Sequence, residues 1–143
     1  MADQTNLKAA HAFFDAWNAG DLIQADPYEA DDMVAERPGA PGPMDKQQTR
    51  MYTQNFLSAF PGSQFKLWLT VTDGDYVVDH WSISGTNTGT LYSPSGAPIP
   101  PTGKTVVLKG TLTWEIKDGK VVRSWAYFDM GALLGQMGLL PPM

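Results

Sequence analysis

The sequence predicts an α+β fold in which helices come first and an antiparallel sheet follows. Apolar residues recur at helical spacing over residues 4–19 and again over residues 45–60. From residue 65 onward the pattern changes to the alternation typical of strands, interrupted by two Asp-Gly pairs that indicate tight turns. Helices packed on the concave face of a strongly curved sheet would enclose a pocket.

The first helix is predicted to run from Gln4 to Ala19 and to end at Gly20, because glycine adopts the left-handed cap conformation without strain. Four apolar residues of this segment fall on one helical face: Leu7, Ala10, Phe14 and Trp17. A short second helix is expected from Asp21 and the Asp26-Pro27 pair, since proline at a first helical position loses no needed N–H.

The segment between the helices is predicted to be short and extended over residues 33–35. Residues 37–43 hold three prolines and two glycines and are therefore expected to form a surface loop. Asp45 and Gln48 resemble a capping box, which predicts the start of a third helix that runs to Phe60.

Four strands and a closing helix are predicted in the second half of the chain. The strands cover residues 65–71, 76–90, 105–116 and 121–128, and a loop at the rim of the sheet covers residues 93–103. Asp129 is expected to cap a closing helix over residues 131–136, which Gly138 ends.

The register of the first hairpin decides which polar residue faces the pocket. A two-residue turn at Asp73-Gly74 pairs Leu67 with His80 and places the imidazole on the apolar face. A three-residue loop places Asp79 there instead. We predict the two-residue turn, with His80 pointing into the pocket.

The second hairpin is predicted to close with a three-residue loop over residues 117–119. This register pairs Leu112 with Ser124, Gly110 with Ala126, Leu108 with Phe128, and Trp114 with Val122. The opposite face then carries Thr111, Thr113, Trp125 and Tyr127. Such a wide mixed face is unusual in contact with water, so a homodimer through the outer face of the sheet is expected.

The chain is predicted to form a single domain over residues 1–143. Its composition argues against several classes of function. The formal net charge is −5 and no run of Lys or Arg occurs, which argues against nucleic-acid binding. Cysteine is absent and only two histidines occur, so no metal site is expected. No apolar stretch approaches the ~18 residues of a membrane span, and the N-terminus lacks a basic start and an apolar core, so no membrane association and a cytoplasmic location are expected.

The order of several motifs resembles one known family over nearly the whole chain. The motifs are Phe13–Asp21, Gly85–Gly89, Pro100–Lys104, Asp118–Val121, Trp125, Asp129 and Leu133–Gly138. They are similar to the SnoaL-like polyketide (ester) cyclases of the nuclear transport factor two-like superfamily. The resemblance implies an α+β cone with an apolar cavity, a homodimer, and an intramolecular aldol condensation by acid–base chemistry with no cofactor.

The positions that carry this chemistry in the characterised cyclases hold other residues here. The Asp of the last strand corresponds to Ala126 and the His of the preceding strand to Leu112. A Tyr or Phe of the opening helix corresponds to Trp17. We therefore expect an apolar wall where the cyclases carry their acid–base pair.

Three other residues are candidate catalytic groups. His80 is a candidate because histidine is a common general acid or base, although a lone histidine is often a hydrogen-bonded core residue. Glu36 falls where many relatives carry a His near the cavity mouth, and either acts as a base or pairs with Arg37 at the surface. Asp129 is a candidate acid or base because it is a carboxylate predicted at the cavity mouth, but its place before a helix favours a cap.

The predicted ligand is an apolar small molecule, polycyclic or terpenoid-like, and its predicted binding residues are Trp17, Tyr52, Phe56, Leu112, Trp114, Ala126 and Phe128. Two functions stay open. The first is a cofactor-free cyclase, isomerase or hydrolase. The alternative is a protein that binds the ligand without turnover, which the residues Ala126 and Leu112 favour.

Overall fold

The computed structural model of the protein describes residues 2–140. Three α-helices occur: α1 Ala2–Asn18, α2 Lys46–Ala59 and α3 Met130–Gln136, with a 3-10 helix at Leu22–Tyr28. The strands are β1 Glu29–Glu36, β2 Gln64–Asp73, β3 Tyr76–Thr86, β4 Leu91–Tyr92, β5 Pro98–Ile99, β6 Thr105–Lys117 and β7 Lys120–Phe128. The predicted α+β class is confirmed.

Five strands form one curved sheet in the order β1-β7-β6-β3-β2. The four strands of the second half are antiparallel, as predicted. The extended segment before the proline-rich loop is longer than predicted and joins the sheet edge as β1, parallel to β7. Strands β4 and β5 form a separate short hairpin, in which β5 lies within the predicted rim loop and β4 directly precedes that loop. Among residues 2–140, no helix combines the length and apolar character needed to cross a membrane.

Helix α1 packs its apolar face on the inner face of the sheet. Ala10, Phe14 and Trp17 are buried, and the rings of Phe14 and Phe65 meet edge to face with centroids 5.2 Å apart. Burial of this apolar face stabilises the helix more than its intrinsic propensity does. The main core therefore lies between α1 and the sheet.

The predicted caps of the other helices are confirmed. Asp45 and Gln48 form both bonds of the capping box at the start of α2. Asp129 accepts a hydrogen bond from the backbone N–H of Ala132, 3.0 Å away, at the start of α3. Each cap satisfies backbone donors that the first helical turn leaves without partners.

Strand β3 ends at Thr86, four residues earlier than predicted, and Asn87 explains why. The Asn87 side chain is fully buried and donates to the carbonyls of Ala59 and Gly89. Its side-chain oxygen accepts from the N–H of Thr102. This side chain bonds the backbone of the last residue of α2, of Gly89 and of Thr102, and so holds the chain in a loop where the strand was predicted to continue.

The first hairpin has the two-residue turn that was predicted, but one position later, since Asp73 pairs with Tyr76. A bulge at Trp68 then divides β2 into two parts. Before the bulge, Leu67 pairs with Trp81; after it, Leu69 pairs with His80. Because a one-residue slip exchanges the two faces of a strand, Leu69 and His80 lie on the outer face.

The second hairpin also closes with a two-residue turn, so the predicted pairs are wrong. Asp118 and Gly119 both have positive φ, 53° and 73°, as a hairpin turn of this kind requires. A bulge follows between Glu115 and Ile116, after which Leu112 pairs with Ala126 and Trp114 with Ser124. The turn and the bulge together preserve the predicted faces while they shift the pairs along the strand.

Candidate functional site

A cavity of about 90 Å³ lies between the helices and the inner face of the sheet. Its lining is mainly aromatic and aliphatic and includes Phe13, Trp17, Phe56, Phe65, Trp81 and Phe128. A single buried water needs roughly 10–15 Å³ of such space, so the cavity is larger than a packing defect. Apolar cavities of this kind are where proteins usually bind small molecules.

Most of the predicted ligand-binding residues lie in this lining. Those present are Trp17, Tyr52, Phe56, Leu112, Ala126 and Phe128. Trp114 is absent from the lining, so its role in ligand binding stays a prediction. Its indole N–H donates to Asp79 Oδ2 over 3.0 Å.

The two positions at which the cyclases carry their acid–base pair lie side by side. Leu112 and Ala126 are directly opposite each other on β6 and β7, and both are buried. Cross-strand neighbours of this kind have Cβ atoms only about 4.5–5.5 Å apart. An Asp and a His at these positions would lie next to each other in the cavity wall. This chain has the hydrocarbon side chains of Leu112 and Ala126 there instead.

None of the three candidate catalytic residues lines the cavity. The prediction that His80 points inward is wrong: its ring packs against the exposed Trp68 on the outer face, with centroids 4.9 Å apart. Glu36 is exposed at the end of β1. Asp129 is exposed and serves as the cap of α3.

Asp79 occupies the inner face in place of His80 and is fully buried. Its Oδ1 lies 2.9 Å from His11 Nε2 and accepts from Thr70 Oγ1 at 2.7 Å, while Oδ2 accepts from Trp114. The hydrogen bond with Asp79 raises the pKa of His11, against the opposing effect of partial burial. Residues 11 and 79 are far apart in sequence, and no local pattern indicates that they meet.

Arg37 is the charged group of the cavity, and sequence analysis had placed it in a surface loop. It is only 8% exposed. Its Nη2 donates to Ser124 Oγ and its Nη1 to the carbonyl of Glu36, each over 3.1 Å. Burial lowers the pKa of Arg37 to about 10, so the guanidinium remains charged at neutral pH.

The parallel pairing of β1 with β7 explains how Arg37 becomes buried. The register sets Ala35 opposite Ser124, so the chain leaves β1 beside a residue whose hydroxyl points inward. Tyr52 of α2 closes the other side and donates its hydroxyl to the carbonyl of Pro38 over 2.6 Å. Burial raises the pKa of Tyr52, which keeps its hydroxyl protonated as a donor.

Two further polar groups of the lining are neutral hydroxyls. Thr53 donates to the carbonyl of Thr49, and Ser63 accepts from the indole N–H of Trp17. The lining includes no Asp, Glu or His. Among residues 2–140, no three side chains of the metal-ligating types are grouped as a metal site would require.

The model of the SnoaL-like polyketide cyclase family matches residues 8–137 of this sequence. The chain belongs to the SnoaL-like polyketide cyclase family. No curated protein sequence matches it.

Solved structures of this fold cover nearly the whole chain. AclR from Streptomyces galilaeus is 23% identical with a TM-score of 0.81, over 96% of this chain and 87% of its own. IdmH from Streptomyces antibioticus is 24% identical with a TM-score of 0.77, over 93% and 98%. TerC, co-crystallised with polyporic acid, is 18% identical with a TM-score of 0.72, over 94% and 98%. At these identities the similarity establishes the fold.

Proposed function

We propose that the cavity binds a polycyclic or terpenoid-like small molecule, and that turnover, where it occurs, is cofactor-free acid–base chemistry of the cyclase, isomerase or hydrolase type. The observation that supports binding is the aromatic lining, with Phe56 and Phe128 in edge-to-face contact at 6.2 Å. Flat apolar ligands gain about 25 cal/mol for each Å² of apolar surface removed from water. Membership of a polyketide cyclase family supports the same ligand class.

A second candidate is binding without turnover, and the composition of the lining favours it. A general base must reach the proton that it removes, within about 3 Å or through one water. The lining groups that titrate are Arg37 and Tyr52, and both are poor bases at neutral pH because each holds its proton. The cavity wall therefore has no group suited to removing a carbon-bound proton.

A gain-of-function experiment distinguishes these two candidates. Leu112→His combined with Ala126→Asp places an acid–base pair at adjacent positions of the wall. The matched control is Leu112→Gln with Ala126→Asn, which makes the same two positions polar without supplying an acid–base pair. We expect wild type and control to leave an anthracycline-type precursor unchanged and the cavity variant to acquire measurable cyclisation. Cyclisation by wild type at a rate typical of the family would instead support the first candidate.

Native mass spectrometry of freshly purified protein tests binding itself. We expect a co-purified organic molecule that is lost on denaturation. A protein that carries no adduct and whose melting temperature does not shift with any member of a polycyclic aromatic and terpenoid panel would contradict the proposed function. Such shifts follow directly from preferential binding to the folded state.

We further propose that a second copy of the chain covers the outer face of the sheet. Two rows of side chains cross this face: one is Leu69, His80, Thr111 and Tyr127, and the other is Val71, Val78, Thr113 and Trp125. Leu69, Val71 and Tyr127 are each about half exposed or more. Glu115 and Arg123 border the rows with opposite charges, which suits a self-complementary interface.

Sedimentation at micromolar concentration tests the dimer. We expect wild type to sediment as a dimer and Tyr127→Glu to sediment as a monomer. Tyr92→Glu is the control, since Tyr92 is 54% exposed on the separate β4–β5 hairpin. A monomeric wild type would contradict this part of the proposal.

A further inference from the structure

Arg37, a residue of the cavity lining, has more hydrogen-bond donors than the protein supplies acceptors for. A guanidinium carries five N–H donors, and Arg37 uses two of them, both on neutral oxygens. No carboxylate among the described side chains, those of residues 4–140, lies within ion-pair distance of it: Glu29, the acid whose charge acts on it, is paired with Arg50. Buried arginines are usually matched by an anion, so this one is incomplete as it stands.

A second donor in the same lining also has no acceptor. The indole N–H of Trp81 is buried and is the one such side-chain polar atom in the described chain without a hydrogen-bond partner. Leaving a buried donor unpaired is costly, and native proteins do so rarely. Arg37 and Trp81 both belong to the lining of one cavity, where a ligand can bring the oxygen acceptor that the protein lacks.

We propose that Arg37, supported by Ser124, binds an anionic oxygen of the ligand, so that the natural ligand is an aromatic or polycyclic carboxylate or enolate. This inference rests on the proposed function and specifies the ligand class that the cavity selects. The other surfaces of the cavity are apolar or carry hydroxyls that already have partners. The charge of Arg37 therefore fixes the orientation of the ligand, with its anionic end toward β1 and β7.

Arginine is suited to this role because its planar group presents a pair of parallel donors to a carboxylate. The bond to Ser124 holds the guanidinium in place before the ligand arrives, which lowers the entropic cost of binding. The surrounding wall excludes water and so strengthens the attraction between opposite charges. If the bound group is an enolate, the same charge stabilises it relative to its neutral ketone.

The test compares two probes of the same shape, 2-naphthoate and the neutral 2-naphthamide, by titration calorimetry at pH 7.5. We expect wild type to bind the carboxylate about 10-fold to 100-fold more tightly than the amide, the range typical of hydrogen bonds to charged groups. Arg37→Met should abolish that preference and leave the affinity for the amide within about 3-fold. Arg123→Met is the matched control: it removes the same charge from the outer face and should retain the preference.

Three outcomes separate the two claims. A wild type that binds neither probe overturns both the proposed function and this inference. A wild type that binds both probes equally, or an Arg37→Met variant that keeps the carboxylate preference, overturns this inference alone. If the methionine variant does not fold, Arg37→Gln takes its place in the comparison. Loss of the preference for the carboxylate in either variant supports the inference.

Discussion

Asp79 and Arg37 are both buried, but their hydrogen-bonding environments differ. Asp79 is enclosed by His11, Thr70 and Trp114, which occupy both of its oxygens. Arg37 belongs to the lining of a cavity and has two neutral acceptors for its five N–H donors. A fully matched buried group fixes the packing of the elements around it, whereas an unmatched one beside empty space remains available for a ligand. The hydrogen bonds alone therefore distinguish Asp79, which stabilises the fold, from Arg37, which we propose binds a ligand.

The largest effect that we predict is on the matched site. Asp79→Ala leaves the indole N–H of Trp114 without an acceptor and removes the partner of His11. The free energy of unfolding should fall by about 3–5 kcal/mol, as when one member of a buried pair is removed. Urea denaturation measures this change, with Asp73→Ala as the control, since Asp73 is exposed on the same hairpin and should shift stability by less than about 0.5 kcal/mol. Equal effects of the two substitutions would contradict the structural role of Asp79.

The unmatched site should respond in the opposite direction. Arg37→Met keeps most of the side-chain volume and removes a buried charge that lacks a counterion. We expect the free energy of unfolding to stay the same or to rise by about 1 kcal/mol, because hydrophobic replacement of buried charge is often stabilising. Urea denaturation of ligand-free protein is the measurement. A loss of more than about 2 kcal/mol would mean that Arg37 holds the fold together as Asp79 does.

The smallest predicted effect is a pH dependence at the matched site. The bond to Asp79 raises the pKa of His11 above its usual 6.5. The folded state therefore binds this proton more tightly than the unfolded chain, so the stabilisation is complete below about pH 6.5 and is lost as pH rises through the folded-state pKa. Because the imidazole is partly solvated, the change should be under about 1 kcal/mol. Free energies of unfolding at pH 6 and pH 8.5 should differ less in His11→Gln than in wild type; an unchanged difference would contradict the assignment.

Much of the fold follows from local patterns in the sequence. The helical period, the capping box at Asp45 and the cap at Asp129 depend on residues within one turn of each other, and all are confirmed. The faces of β6 and β7 were also predicted, although their pairs were not. The predicted three-residue loop and the observed two-residue turn with a bulge preserve the same alternation, so Leu112 and Ala126 share the inner face in both.

The errors concern residues whose environment depends on distant partners. His80 and Asp79 exchange places because of the bulge at Trp68, which shifts the register by one residue and so reverses the face of β2 beyond it. Nothing in the alternation of apolar residues signals a bulge, because Leu69 and Val71 continue the pattern while facing outward. Glu36 was predicted as a candidate beside Arg37, and the structure exposes the first and buries the second.

The sequence by itself determined the fold class, the caps of the helices, the four long antiparallel strands and the apolar character of the cavity wall, because each depends on spacing within a few residues. Tertiary structure alone decided the two polar sites. His11 meets Asp79 across 68 residues and Arg37 meets Ser124 across 87. Contacts at such separations are set by strand register and by the pairing of β1 with β7, and a single residue of slip in either would exchange the inner and outer faces.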